Sequence, residues 1–188
     1  MGQSVLHAVI CTLFVDVLKH WAAEKGWVAA FAEHDVFFSW VPEHVKVRVS
    51  PDAFLVDALP EKLPSSFQTW LEGNLPPRVA LEIVSDDWHK DYRDNPLKYD
   101  QLGCSELLIY DPEYDQHPRT KGRVAMQVYR RVEGRFELAY RGAGPVYSVE
   151  LGAWLVQVGD HFLARRLRLA RDAAGTDLVA TASEAAVA

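Results

Sequence analysis

The stretch Arg78–Glu113, RVALEIVSDDWHKDYRDNPLKYDQLGCSELLIYDPE, decides the fold. Two apolar runs with strand character, Val79–Val84 and Leu107–Tyr110, bracket a polar segment and a short helical one. Strand, helix and strand within about thirty residues form a βαβ unit, whose two strands are expected to lie parallel in one sheet. Asn95, followed by Pro96, reads as the N-cap of the helix, and Gly103 as the residue that closes it. Glu82 stands in the middle of the first run. A carboxylate there needs a compensating group, either a metal ion or a salt bridge to Lys90, Lys98 or Arg78. Upstream, Ser50-Pro51-Asp52 leads into another apolar run, Ala53–Val56. The functional question is whether Asp52 and Glu82 meet.

Outward from that unit, Ser4 is placed to cap a helix with apolar positions Leu6, Val9, Ile10, Leu13, Phe14, Val17, Leu18 and Trp21, ending near Lys25-Gly26. His7 and Asp16 fall off that stripe and read as solvated surface, or as groups facing a cleft. Val28–Ala32, Val36–Val41 and Val45–Val49 read as short strands, the last alternating apolar and basic residues and so wet on one face. Residues 58–77 hold Pro60, Pro64, Pro76 and Pro77 and read as a surface excursion with a short helix around Ser66–Leu71. Past Asp111-Pro112, a hairpin of Val124–Arg131 and Phe136–Tyr140 turns at Glu133-Gly134. Leu151–Val158 and Phe162–Leu169 read as further strands joined at Gly159-Asp160, and the tail Ala180–Ala188 is expected to fray.

At 188 residues the chain is expected to form one domain, with a core over about 4–115 and a β extension over about 116–180. Two cysteines, Cys11 and Cys104, both in apolar surroundings, point to a reduced, cytoplasmic protein with the thiols as core filler. No apolar run approaches the roughly 18 residues that span a bilayer, and the first residues lack the basic region of a signal peptide. The formal net charge of −6 opposes a strong nonspecific grip on nucleic acid, which depends on neutralising phosphates. Charge is uneven, however. Arg119, Lys121, Arg123, Arg130, Arg131, Arg135 and Arg141 face only Glu133 and Glu137 over 116–142, and Arg165, Arg166, Arg168 and Arg171 follow.

If Asp52 and Glu82 lie on neighbouring strands, they can share a hard divalent cation, Mg²⁺ or Mn²⁺, with retained waters. A cation so placed suits phosphodiester hydrolysis, and a lysine nearby, Lys90 or Lys98, would stabilise the same developing charge. Asp86-Asp87-Trp88-His89 reads as an exposed loop, and no pair of Cys or His doublets with zinc spacing occurs. Asp111-Pro112-Glu113 reads as a strand terminator. The Arg130-Arg131 pair is split between the two faces of one strand, and Trp70, Trp88 and Trp154 read as packing anchors.

The order of these residues resembles the PD-(D/E)XK nuclease superfamily and, within it, the Uma family of bacterial restriction-endonuclease-like proteins. The resemblance is carried by Ser50-Pro51-Asp52-Ala53-Phe54-Leu55-Val56, Trp70-Leu71-Glu72-Gly73, Leu81-Glu82-Ile83-Val84-Ser85, and Tyr99-Asp100-Gln101-Leu102-Gly103 running into 106–112. It spans about 4–115, with a weaker echo at Leu151-Gly152-Ala153-Trp154, and His7 fits a position where that family often has His. It implies an α/β (α+β) fold: a restriction-endonuclease-like core whose mixed sheet is flanked by helices in the order α-β-β-β-α-β, with extra C-terminal β-hairpins. It also implies Asp52, Glu82 and the carbonyl of Ile83 as ligands of Mg²⁺ (or Mn²⁺) and DNA as substrate. The lysine two residues after the acid is replaced by Val84. The position four after Asp91, where relatives carry a lysine, is Asn95, which leaves Lys98 and Lys90 as candidates. Two other classes stand beside the enzyme: a lapsed nuclease fold that binds nucleic acid or protein, and a structural homo-oligomer, most simply a dimer, pairing through exposed β edges.

Overall fold

The computed structural model describes residues 5–62, 64–85, 87–116, 122–159 and 164–187. The expectations placed on Ser4, Asp86, Arg119, Lys121, Asp160 and Phe162 lie outside the described residues. In chain order the elements are α1 (Val5–Glu24), β1 (Phe31–Glu33), β2 (Phe37–Ser39), β3 (Arg48–Val49), β4 (Ala53–Val56), β5 (Ser66–Gln68), β6 (Val79–Ile83), a π-helical turn (Lys90–Asp94), α2 (Asn95–Leu102), β7 (Glu106–Tyr110), β8 (Met126–Val132), β9 (Arg135–Gly142), β10 (Val146–Ser148), β11 (Ala153–Val158), β12 (Arg166–Ala170) and α3 (Ala182–Ala185).

The βαβ unit forms as the sequence implies. β6 and β7 pair in parallel, Val79 opposite Glu106 through Ile83 opposite Tyr110. They are the centre of a mixed sheet in the order β1-β4-β6-β7-β8-β9, all of whose other pairings are antiparallel. The architecture is α/β, with the α-β-β-β-α-β plan at its heart. The β8–β9 hairpin extends the central sheet and does not stand apart from it. Its turn residues Glu133 and Gly134 both have positive φ, 48° and 84°, the backbone of a tight I′-type connection.

Alternation along the sheet divides the core in two. Ala53, Leu55, Leu81, Ile83, Leu108 and Tyr110 meet α1 and the small sheet β10-β11-β12. Phe54, Ala80, Leu107 and Ile109 meet α2 residues Tyr99 and Leu102 and a ring cluster with Phe38 and Phe67. α1 is long and apolar enough, by length and composition, to cross a membrane, which the sequence reading did not anticipate. Its side chains Ile10, Phe14, Val17, Leu18 and Trp21 are buried in the core, and Trp21 Nε1 donates to the Leu151 carbonyl at 2.8 Å.

Four local expectations are corrected. Ser66–Leu71 is not a helix: Ser66–Gln68 pairs in parallel with β2, because Phe67 stacks on Phe38 at 4.9 Å. Val45–Val49 is not one alternating strand. Val45 and Val47 are exposed, turn hydrogen bonds from His44 and Val47 hold the segment, and only Arg48–Val49 pairs. Val28 is likewise exposed, and β1 begins at Phe31. The tail is tied down through Thr181, whose capping box with Glu184 starts α3, while Ala182 N–H donates to Asp16 and Glu184 accepts from Arg168.

Candidate functional site

The register places Asp52 beside Glu82. Ala53 pairs with Leu81 and Phe54 with Ala80, so the next step of the antiparallel ladder sets Asp52 opposite Glu82. The backbone agrees: Asp52 N–H donates to the Leu81 carbonyl at 3.0 Å, and Ile83 N–H donates to Asp52 Oδ2 at 2.7 Å. Asp52 lies at a bend, one residue before β4 begins at Ala53. Both acids are buried, Asp52 at 9% and Glu82 at 8% exposure.

Each carboxylate has its own holder. His7, near the start of α1, brings Nε2 within 2.8 Å of Asp52 Oδ1. The surface reading of His7 is therefore replaced by a site contact, since its side chain is only 13% exposed. Tyr99 on α2 donates its hydroxyl hydrogen bond to Glu82 Oε1. Burial, then repulsion from Asp52, raises the Glu82 pKa to about 8, against the pull of the Tyr99 hydrogen bond. The proposed salt-bridge partner Arg78 is engaged elsewhere, pairing with Asp57 at 3.3 Å and lying over the Trp27 ring.

Next to the acids the chain winds into the π-helical turn. Asp91, 1% exposed, accepts from Ser85 N–H at 2.8 Å and Ser85 Oγ at 2.9 Å. Asn95 does not cap a helix. Its side-chain amide donates to Asp91 Oδ1 at 3.3 Å, because the π turn continues helical backbone upstream of it. Lys90 Nζ lies 3.4 Å from Asp91 Oδ1. Burial alone would lower the Lys90 pKa, but Asp91 and Glu82 outweigh it and raise it. Lys98 is half-buried, one residue before Tyr99, and makes no ion pair among the described residues. Gly103 closes α2 at φ 91° as the sequence suggests.

Cys11 comes to the same place. His7, Cys11 and Asp52 offer one ligand atom each, all within 4.8 Å of one another. Burial, followed by the Asp52 charge, pushes the Cys11 thiol up. The sequence gives a signal for this only in hindsight, the four-residue spacing of His7 and Cys11 on one helix. Tyr99 was also missed, since only the fold brings it over Glu82.

Other polar groups singled out from the sequence are structural. Asp111 takes a two-pronged bond from Arg123, at 2.6 and 2.7 Å, and a third from the Tyr92 hydroxyl at 3.0 Å. Arg130 turns to Glu106 at 3.4 Å and Arg131 to the Cys104 and Asp100 carbonyls, so the pair is split as expected. Trp88 stacks on His89 and packs edge-on to Tyr92, and Trp154 meets Tyr147.

With this geometry in view, comparison with known proteins gives two results. The family model described as "Uma2: Putative restriction endonuclease" matches residues 1–152. The chain belongs to the Uma2 family. Among the solved structures, this Uma2 chain is similar to one described as a putative nuclease belonging to DUF820 from Anabaena variabilis ATCC 29413. The two share 17% identity and a TM-score of 0.55 over 80% of this chain and 75% of that one. That likeness supports the fold. No curated protein matches the chain.

Proposed function

We propose that this Uma2 chain is a metal-dependent nuclease that hydrolyses phosphodiester bonds in DNA. The observation that carries the reading is the ladder position of Asp52 opposite Glu82. The family description and the nuclease description of the structural neighbour support it.

The donor set fits a hard divalent cation. Two buried carboxylates that repel one another are stabilised together by a bound cation. Asp52, Glu82 and the Ile83 carbonyl would hold Mg²⁺ or Mn²⁺. A cation there supplies charge stabilisation at phosphorus and a water of lowered pKa. The chain's own residues prepare the site. Ile83 N–H and His7 fix the Asp52 carboxylate, and Tyr99 fixes that of Glu82. Asp91 holds the Lys90 ammonium near the acids, where it would stabilise charge building on a phosphate. Lys90 is the lysine assigned to this role, and Lys98 the alternative.

A second reading, a lapsed nuclease fold that binds without cleaving, is favoured by one observation. Asn95, at the position where the family resemblance implies a lysine, donates its side-chain amide to Asp91. Plasmid nicking with Mg²⁺ or Mn²⁺ decides between them. The nuclease reading expects cleavage that is lost with EDTA and in Asp52→Ala/Glu82→Ala. Equal nicking by wild type and the double variant ends it.

A further inference from the structure

His7 and Cys11 are four residues apart on α1, so both side chains leave the same face of the helix. That face meets the start of β4, where Asp52 enters the sheet. An imidazole, a thiol and a carboxylate thus converge, with ligand atoms all within 4.8 Å of one another. Cys11 is 4% exposed. This trio differs in kind from the all-oxygen set of Asp52, Glu82 and Ile83: a thiolate is a soft donor that Mg²⁺ does not favour and Zn²⁺ does.

We propose that His7, Cys11 and Asp52 form a binding site for a borderline-soft divalent cation of the zinc class. Tetrahedral zinc has bonds of about 2.0–2.1 Å to nitrogen and about 2.3 Å to sulfur, which sets its ligand atoms roughly 3.3–3.6 Å apart. His7 Nε2 and Asp52 Oδ1, now 2.8 Å apart, must open by about half an ångström to admit the ion. The thiol must close by at most a little over one ångström from the 4.8 Å limit, within reach of a side-chain rotation. Binding forms Zn–N, Zn–S and Zn–O bonds in place of three hydration bonds. The Cys11 proton leaves to solvent, and the proton that His7 Nε2 turns toward Asp52 leaves that atom, so the imidazole binds as the neutral form with its one proton on Nδ1. Three protein ligands leave a fourth position open to water.

Asp52 belongs to both sets. Zinc held here withdraws that carboxylate from the hard cation and so opposes hydrolysis. This consequence rests on the nuclease reading, and the site itself does not.

The test is spectroscopic and needs no turnover. Co²⁺ added to the full chain is expected to give a thiolate-to-cobalt charge-transfer band at one equivalent, which Zn²⁺ then displaces. Cys11→Ala is expected to abolish the band, and Cys104→Ala to keep it, because Cys104 lies in the other half of the core. His7→Gln should weaken cobalt binding by at least about tenfold. Circular dichroism checks that each variant is folded. Absence of the band in the wild-type chain overturns the proposal without recourse to any variant, as does a band that survives Cys11→Ala in folded protein. Plasmid nicking can fail while the cobalt band appears, so this proposal and the nuclease reading fall separately.

Discussion

Tyr99 on α2 donates a hydrogen bond to Glu82 on β6, so the crossover helix grips a carboxylate of the strand that precedes it. The bond favours the ionised acid. Removing it in Tyr99→Phe is expected to raise the Glu82 pKa further. It should also cost about 1.5–3 kcal/mol of stability where Glu82 is ionised, and less where it is protonated. Urea unfolding at pH 9 and pH 6 checks this. A loss that is equal at both pH values would separate Tyr99 from the Glu82 charge.

The pH dependence of the metal-free chain follows from Glu82. Its folded pKa, about 8, stands above its ordinary value of 4.5, so the folded state holds the proton more tightly. The stability from this group is complete below about pH 4.5 and is lost as pH rises through 8. In EDTA, melting temperature should fall across that window, and Glu82→Gln should flatten the fall. Mn²⁺ binding near pH 7 should release close to one proton, seen as a buffer-dependent heat in calorimetry.

Lys90 and Lys98 are separable by rate. Asp91 and then Glu82 raise the pKa of Lys90 against its burial, whereas Lys98 makes no ion pair among the described residues. Lys90→Ala is expected to slow nicking by about a hundredfold, and Lys98→Ala by less than about threefold. The opposite ranking would move the catalytic lysine to α2.

Arg123 and Asp111 form a buried ion pair with side chains 8% and 1% exposed. Arg123→Ala leaves the carboxylate with the Tyr92 hydroxyl and backbone alone. It is expected to cost about 3–5 kcal/mol in urea unfolding. A loss below 1 kcal/mol would show that solvent reaches Asp111.

The parallel pair β6 and β7, the α2 helix closed at Gly103 and the turn at Glu133-Gly134 were all legible in the sequence, because local pattern alone specifies them. The residues themselves left open whether Asp52 and Glu82 meet, and only the family resemblance implied it; the antiparallel register of β4 on β6 sets the two opposite one another. What escaped depends on contacts across the chain. Phe67 is extended because it stacks on Phe38, and nothing in Ser66–Leu71 announces that partner. His7 meets Asp52 across forty-five positions, and Tyr99 meets Glu82 across seventeen. The tail docks through Asp16 and Arg168, residues that read as ordinary surface charges.

The π turn at Lys90–Asp94 has a consequence for alignment. In a regular α-helix, residues eight apart overshoot two full turns by about 80° around the axis, so Asp91 and Tyr99 would face different directions. The wider turn takes up most of that overshoot. Asp91, Asn95 and Tyr99 all end up buried, at 1%, 5% and 0% exposure. The extra residue acts as gearing. Deleting exposed Arg93 would remove no acid or lysine, yet Asp91 would keep its grip on Ser85 only by rotating Tyr99 off Glu82.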